Sequence, residues 1–137
     1  MIPPTDIVVS TMGDARRARR AAARLAEDVG LRRFAVEGAA LATMELATNL
    51  VRYAEKGRIK LSLVESGGGL GLQVEARDSG PGILDVDRAL QDGFSSGGGL
   101  GGGLPAVRRL MDEFEITSST AGTTVVARKW ATPSRLS

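Results

Sequence analysis

Asp78-Ser79-Gly80-Pro81-Gly82-Ile83 opens the stretch that decides how this chain folds, and Gly97-Gly98-Gly99-Leu100-Gly101-Gly102-Gly103-Leu104 closes it. Seven of the eleven residues from Gly93 to Gly103 are glycine. Glycine brings no side chain to a core and loses the most backbone entropy on ordering. Such a run is either a flexible linker or a loop whose N–H groups approach a ligand closely. A linker would run on into unpatterned polar sequence. Here the glycines lead straight into Leu104-Pro105-Ala106-Val107-Arg108-Arg109-Leu110-Met111, which reads as a helix with proline near its first turn. A glycine loop feeding a helix N-terminus suits an anion, because unsatisfied N–H donors and the positive end of the dipole face it together. We therefore read the run as a phosphate loop. It is not a Walker loop, since no Gly-Lys-Ser/Thr is present. Nor is it a dinucleotide-binding turn, because Leu90-Gln91-Asp92-Gly93-Phe94 is poor material for the strand that turn requires.

Upstream, Asp6 to Ser10 reads as a short strand. Thr11 with Asp14 three residues on has the form of a capping box, so a helix is expected from about Met12, with Gly30 as its C-terminal cap. Ala15, Ala18, Ala22, Leu25, Ala26 and Val29 give that helix an apolar face. Arg16, Arg17, Arg19, Arg20 and Arg24 occupy the rest and read as a solvated face; the other reading is a docking surface for an acidic partner or nucleic acid. No aromatics are interleaved to stack on bases.

A second helix is expected over roughly Arg32 to Ala54, with Glu45, Asn49 and Arg52 sharing one face at offsets of four and three. Arg58–Glu65 and Leu70–Arg77 alternate as a hairpin around Ser66-Gly67-Gly68-Gly69. Asp78 then stands at a strand end, facing the pocket. A short helix is expected between Ile83 and Gly93, a closing hairpin from Phe114–Thr117 and Thr123–Arg128 around Ala121-Gly122, and a frayed tail from Pro133. This order gives an α/β fold, a two-layer sandwich.

The chain has 137 residues, enough for one domain with a core. We expect a single domain over 1–131 and a flexible tail over 132–137. Hydrophobic residues make up 42% and charged residues 25%, as in ordinary globular proteins. There is no signal peptide and no apolar run near eighteen residues, so neither secretion nor a membrane partner is expected. Cysteine and histidine are both absent. That excludes disulfides, thiol chemistry, a histidine base and phosphorylation of a histidine within these residues. A cytoplasmic location agrees with the lack of cysteine. A net charge of +2 gives no ground for a nucleic-acid partner.

Three motifs occur in order: Glu45-Leu46-Ala47-Thr48-Asn49, Asp78-Ser79-Gly80-Pro81-Gly82 and Gly99-Leu100-Gly101-Gly102-Gly103. They resemble the N, G1 and G2 boxes of the GHKL ATPase/kinase superfamily. Gln91-Asp92-Gly93-Phe94-Ser95, Leu110-Met111-Asp112-Glu113-Phe114 and Gly122-Thr123-Thr124-Val125 resemble one branch, the RsbT-like serine/threonine kinases of the general-stress partner-switching pathway. The resemblance spans roughly Asp6 to Trp130.

It implies a Bergerat-type fold, with a mixed sheet covered on one face by helices, binding ATP and Mg²⁺. Asn49 matches the family's Mg²⁺ ligand and Asp78 the residue that accepts from the adenine amino group. Gly80 and Gly82 let the backbone pass the base, Ile83 forms an apolar wall, and Thr123 or Thr124 supports the adenine contact. N–H groups of Gly99, Leu100, Gly101, Gly102, Gly103 and Leu104 hold phosphates, with Arg52 an additional phosphate contact.

Glu45, one turn before Asn49, is placed to take the proton of an attacking hydroxyl; elsewhere in the superfamily this position activates water. The resemblance further implies an STAS-domain protein as substrate and antagonist, and a PP2C-type phosphatase regulator as the downstream target. Two alternatives stand beside the kinase: an anti-sigma kinase that binds a sigma factor directly, and a non-catalytic module that uses ATP only to set its conformation.

Overall fold

The computed structural model describes residues 2–54, 56–79 and 103–131. Among the described residues, five strands and three helices follow in order as β1 (Thr5–Val8), α1 (Met12–Asp28), α2 (Arg33–Tyr53), β2 (Arg58–Ser66), β3 (Gly69–Asp78), α3 (Gly103–Leu110), β4 (Glu113–Ser119) and β5 (Gly122–Trp130). The short helix expected between Ile83 and Gly93 and the tail from Pro133 lie outside the described residues.

The first helix begins where the capping box places it. Asp14 N–H donates to Thr11 Oγ1 at 3.1 Å, and Thr11 N–H donates back to the Asp14 carboxylate at 3.1 Å. Ser10 N–H donates to the same carboxylate at 3.0 Å. Ser10 is thus drawn into the cap, and β1 ends at Val8 rather than running on to Ser10. These backbone donors, those of Ser10 and Thr11 first, hold the Asp14 carboxyl below its ordinary pKa. The helix closes at Val29, with Gly30 in the left-handed region at φ +94°.

The core lies between the helices and one face of the sheet. Strand side chains alternate, so Ile59 and Leu61 of β2, Leu72, Val74 and Ala76 of β3, and Val125 and Ala127 of β5 are buried together. Ala15, Ala18, Ala22 and Ala26 of α1 and Ala39, Ala42, Leu46 and Ala47 of α2 cover them. Small alanines allow the two helices close approach to each other and to the sheet. Thr43, fully buried on α2, donates its hydroxyl to the Ala39 carbonyl at 2.8 Å, so its burial leaves no unmet donor.

The opposite face of the sheet is polar. Arg128 there reaches Gln73 at 2.8 Å and Glu113 at 3.0 Å, and Trp130 Nε1 donates to Glu113 at 2.8 Å. Those two donors, Trp130 first, hold the Glu113 carboxyl below its ordinary pKa.

Strand order is β1-β2-β3-β5-β4. Every neighbouring pair is antiparallel, which corrects the expectation of a mixed sheet. The physical reason is insertion. β3 and β4 run in the same direction, as strands joined through a helix usually do, but β5 lies between them and pairs antiparallel with both. In the same way β2 separates β1 from β3.

Candidate functional site

The connection from α2 to β2 spans only residues 54–57, so the last turn of α2 sits where β2 begins. In the β2–β3 register Arg58 lies opposite Arg77, which brings the end of β3 to that same edge of the sandwich. β5 starts there too, with Thr123 opposite Asp78. Asn49, Arg52, Asp78 and Thr123 therefore gather at one end of the molecule through short-range connections and sheet register.

Asp78 continues the alternation Leu72, Val74, Ala76, so its side chain lies on the helix-covered face and is half-buried. Thr123 is on that face as well, 8% exposed, and its hydroxyl is 3.0 Å from that of Ser118. Thr124 pairs with Arg77 and lies on the opposite, polar face. The register thus separates two threonines that the sequence left equivalent.

Gly122 makes this corner possible. Its φ is +141°, in the region that favours glycine. A Cβ there would overlap the Asp78 carbonyl oxygen and press on Ser79 Cα. The sequence marked Gly122 as a turn residue and as part of the Gly122-Thr123-Thr124-Val125 motif. Its value in fixing Asp78 beside Thr123 emerges from the β3–β5 pairing, and a Gly-Thr step opening a strand was the available signal.

Glu45 is half-buried on α2, with the backbone N–H of Gly103, the first residue of α3, close enough to favour its charged form. Burial pushes the Glu45 carboxyl above its ordinary pKa; the Gly103 N–H and the Arg52 charge work against that rise. Arg52 is exposed and Asn49 half-buried. The end of the glycine run thus lies beside the Glu-x-x-x-Asn motif, on helices that pack together. Leu104, Pro105, Ala106 and Val107 bury the first turns of α3, which packs on α2, and fix Gly103 in place. Gly80, Gly82, Ile83, Gly99, Leu100, Gly101 and Gly102 lie outside the described residues.

Residues 8–129 match the histidine kinase-like ATPase domain. The chain belongs to that family. Within the histidine kinase-like ATPases it is similar to the serine/threonine-protein kinase RsbT of Bacillus subtilis (strain 168), with 42% identity over 89% of this chain and 92% of the relative. Among solved structures it resembles the RsbU and RsbW domains of Rv1364c from Mycobacterium tuberculosis, with TM-score 0.67 and 20% identity over 99% of this chain. This chain spans 35% of that larger one. A mycobacterial sensor histidine kinase, MprB, matches with TM-score 0.57 and 18% identity over 97% of this chain and 99% of its own. The structural likenesses support the histidine kinase-like ATPase fold, and the two-layer α/β architecture agrees with it. Among the described residues no helix is long and apolar enough to cross a membrane.

Proposed function

We propose that this chain is an ATP-dependent protein-serine/threonine kinase of a partner-switching system, acting on an STAS-domain antagonist and, once released, engaging a PP2C-type phosphatase regulator. The observation that carries the reading is the half-buried Glu45 carboxylate lying beside the start of α3, on the helix that also bears Asn49. A carboxylate at the entry to a phosphate loop has little use in a module that only binds nucleotide, since it would repel the phosphates. It is useful where a proton must be removed beside them. The 42% identity to a serine/threonine-protein kinase supports the same class.

The residues present fit ATP. Asp78 offers a half-buried acceptor for an exocyclic amine, and Thr123 adds a hydroxyl on the same face. Gly122 keeps the corner free of a Cβ. Asn49 would supply a neutral oxygen to Mg²⁺, a cation that keeps several waters and shares its shell with phosphates. Gly103 and Leu104, with the glycines before them, would offer N–H groups to phosphate, and Arg52 a positive charge.

ATP supplies the phosphoryl group when bound. Glu45 takes the proton from the partner's serine or threonine hydroxyl as that oxygen forms its bond to phosphorus and the bond to the leaving ADP oxygen breaks. General-base assistance of this kind contributes about 10²- to 10⁴-fold. Its burial raises the proton affinity of Glu45, which makes it a stronger base, while the Gly103 N–H and then the Arg52 charge favour its ionised form.

The test is transfer of labelled γ-phosphate to a candidate STAS protein by wild type and Glu45→Ala. Glu45→Ala should retain nucleotide affinity while transfer falls by about 10²- to 10⁴-fold. Equal transfer by both proteins removes Glu45 from the chemistry. Absence of transfer by wild type to any STAS partner removes the kinase reading.

A further inference from the structure

Arg17, Arg20, Ala21 and Arg24 recur at helical spacing and form one strip of α1. With Asp6, Ile7 and Val8 of β1 they line an open groove of about 500 Å³ at the edge of the sheet. Arg17 is held by Asp14 at 2.7 Å. Arg20 and Arg24 have no ion-pair partner among the described residues and are exposed. The one acid in the groove, Asp6, is paired with Arg58 at 3.2 Å. The local charge is therefore uncompensated and positive.

The groove also has an unused backbone. β1 pairs with β2 on one side only, so its other edge presents free N–H and C=O groups among the described residues. Edge strands are usually blunted by shortness, charged side chains, Pro or a bulge. Pro3 and Pro4 stand before Thr5-Asp6-Ile7-Val8, but the strand itself holds no Pro or Lys, its one charge on Asp6 is paired with Arg58, its pairing with β2 is unbroken, and Val8 is 53% exposed. Four residues of edge extend roughly 13 Å, enough to template a short strand.

We infer that the groove between β1 and α1 is a docking site for an extended acidic segment of a partner protein, which adds to the sheet as a sixth strand along β1 and sets its carboxylates against Arg20 and Arg24. Strand addition supplies affinity through main-chain hydrogen bonds, and side-chain pockets supply specificity. Side chains alternate along a strand, so a segment whose carboxylates face α1 turns its other residues to the opposite face, where exposed Val8 suits apolar ones. Nucleic acid fits less well, because no aromatic side chain lines the groove and a polynucleotide cannot continue a sheet. A second copy fits less well too. Two β1 edges paired about a two-fold axis would set α1 beside α1, each with five arginines.

The site rests on none of the nucleotide-site assignments. Fluorescence anisotropy of the full chain with labelled (Val-Glu)₄ measures it, with (Val-Lys)₄, a (Val-Glu)₄ carrying proline at a central valine, and oligothymidylate as comparisons. The acidic peptide should bind, the lysine and proline peptides at least tenfold more weakly. Binding should weaken as salt rises. Arg20→Glu with Arg24→Glu should lower affinity at least tenfold and leave melting temperature and ATP affinity unchanged.

No binding of (Val-Glu)₄, or equal binding of the proline peptide, overturns the inference. Tighter binding of oligothymidylate assigns the groove to nucleic acid. Sedimentation showing a dimer that the double variant abolishes assigns it to a second copy.

Discussion

Substituting Gly122 by alanine tests whether the β3–β5 corner fixes the nucleotide site. The added Cβ meets backbone atoms, the Asp78 carbonyl and Ser79 Cα, which no side-chain rotation can clear. A φ of +141° adds strain of order 1–3 kcal/mol for a residue with a side chain. The relief available is to part β3 from β5 at their last rung, Asp78 opposite Thr123, losing backbone bonds worth about 0.5–1.5 kcal/mol each. Stability should therefore fall by roughly 2–4 kcal/mol. The Asp78 carboxylate would move off its position. A hydrogen bond to a charged acceptor is worth about 1.5–3 kcal/mol, so ATP affinity should fall roughly ten- to a hundredfold.

Gly68→Ala is the control. Gly68 has φ +82° and nothing within 4 Å of a Cβ, so it carries the strain without the collision and lies in the distant β2–β3 turn. Urea unfolding and isothermal titration with ATP, run on both variants and wild type, decide the matter. The reasoning fails if folded Gly122→Ala binds ATP within twofold of wild type, or if Gly68→Ala loses as much affinity.

Thr123→Ala should weaken ATP binding by about two- to tenfold, the worth of one hydrogen bond, while Thr124→Ala leaves it unchanged; titration calorimetry showing the reverse would move the site to the other face. Phosphotransfer should rise with pH through an acid limb set by Glu45, lying above the ordinary glutamate range because burial raises that carboxyl. Arg52→Ala removes a charge that favours the ionised form, so carboxyl NMR should show the Glu45 titration moving further up, and a downward move contradicts the assignment. Trp130, the single tryptophan, reports on Glu113: its emission should titrate below the ordinary glutamate range, and the stabilisation from that bond, present above the unfolded pKa, should be lost as pH falls through the depressed folded one. Thr11→Ala should cost about 1 kcal/mol in thermal unfolding through loss of the cap on α1.

Much of this architecture is legible locally. Thr11 and Asp14 announce the start of α1 because a capping box is local, complete within four residues. Val36, Ala39, Ala40, Thr43, Met44, Ala47, Leu50, Val51 and Ala54 form an apolar stripe in the sequence, and it announces α2 because burial follows helical spacing. Both hairpins follow from alternation broken by glycine turns. What the sequence leaves open is non-local. Whether β5 would lie outside β4 or slip between β3 and β4 depends on which edge is free when the chain returns, and the expectation of a mixed sheet failed there. Thr123 and Thr124 are chemically alike, and only parity against Asp78 distinguishes them. The contact of Glu45 with Gly103 joins residues 58 positions apart, and no local pattern encodes it.

The placement of β5 between β3 and β4 bears on how the protein can be assembled. The last of the described strands is also the one beside the middle of the sheet, flanked on both sides. A fragment ending before Gly122 would hold Glu45, Asn49 and Asp78, yet it would lack the partner that seats Asp78 and would leave β3 and β4 with raw facing edges. Contacts so distant in sequence form late, since the intervening loop must close first. On the proposed nucleotide site, a chain lacking the β4–β5 hairpin is expected to bind nucleotide weakly and to expose edges that stick until that hairpin is in place. Supplying the β4–β5 hairpin as a separate peptide to such a fragment offers a way to switch nucleotide binding on at a chosen moment.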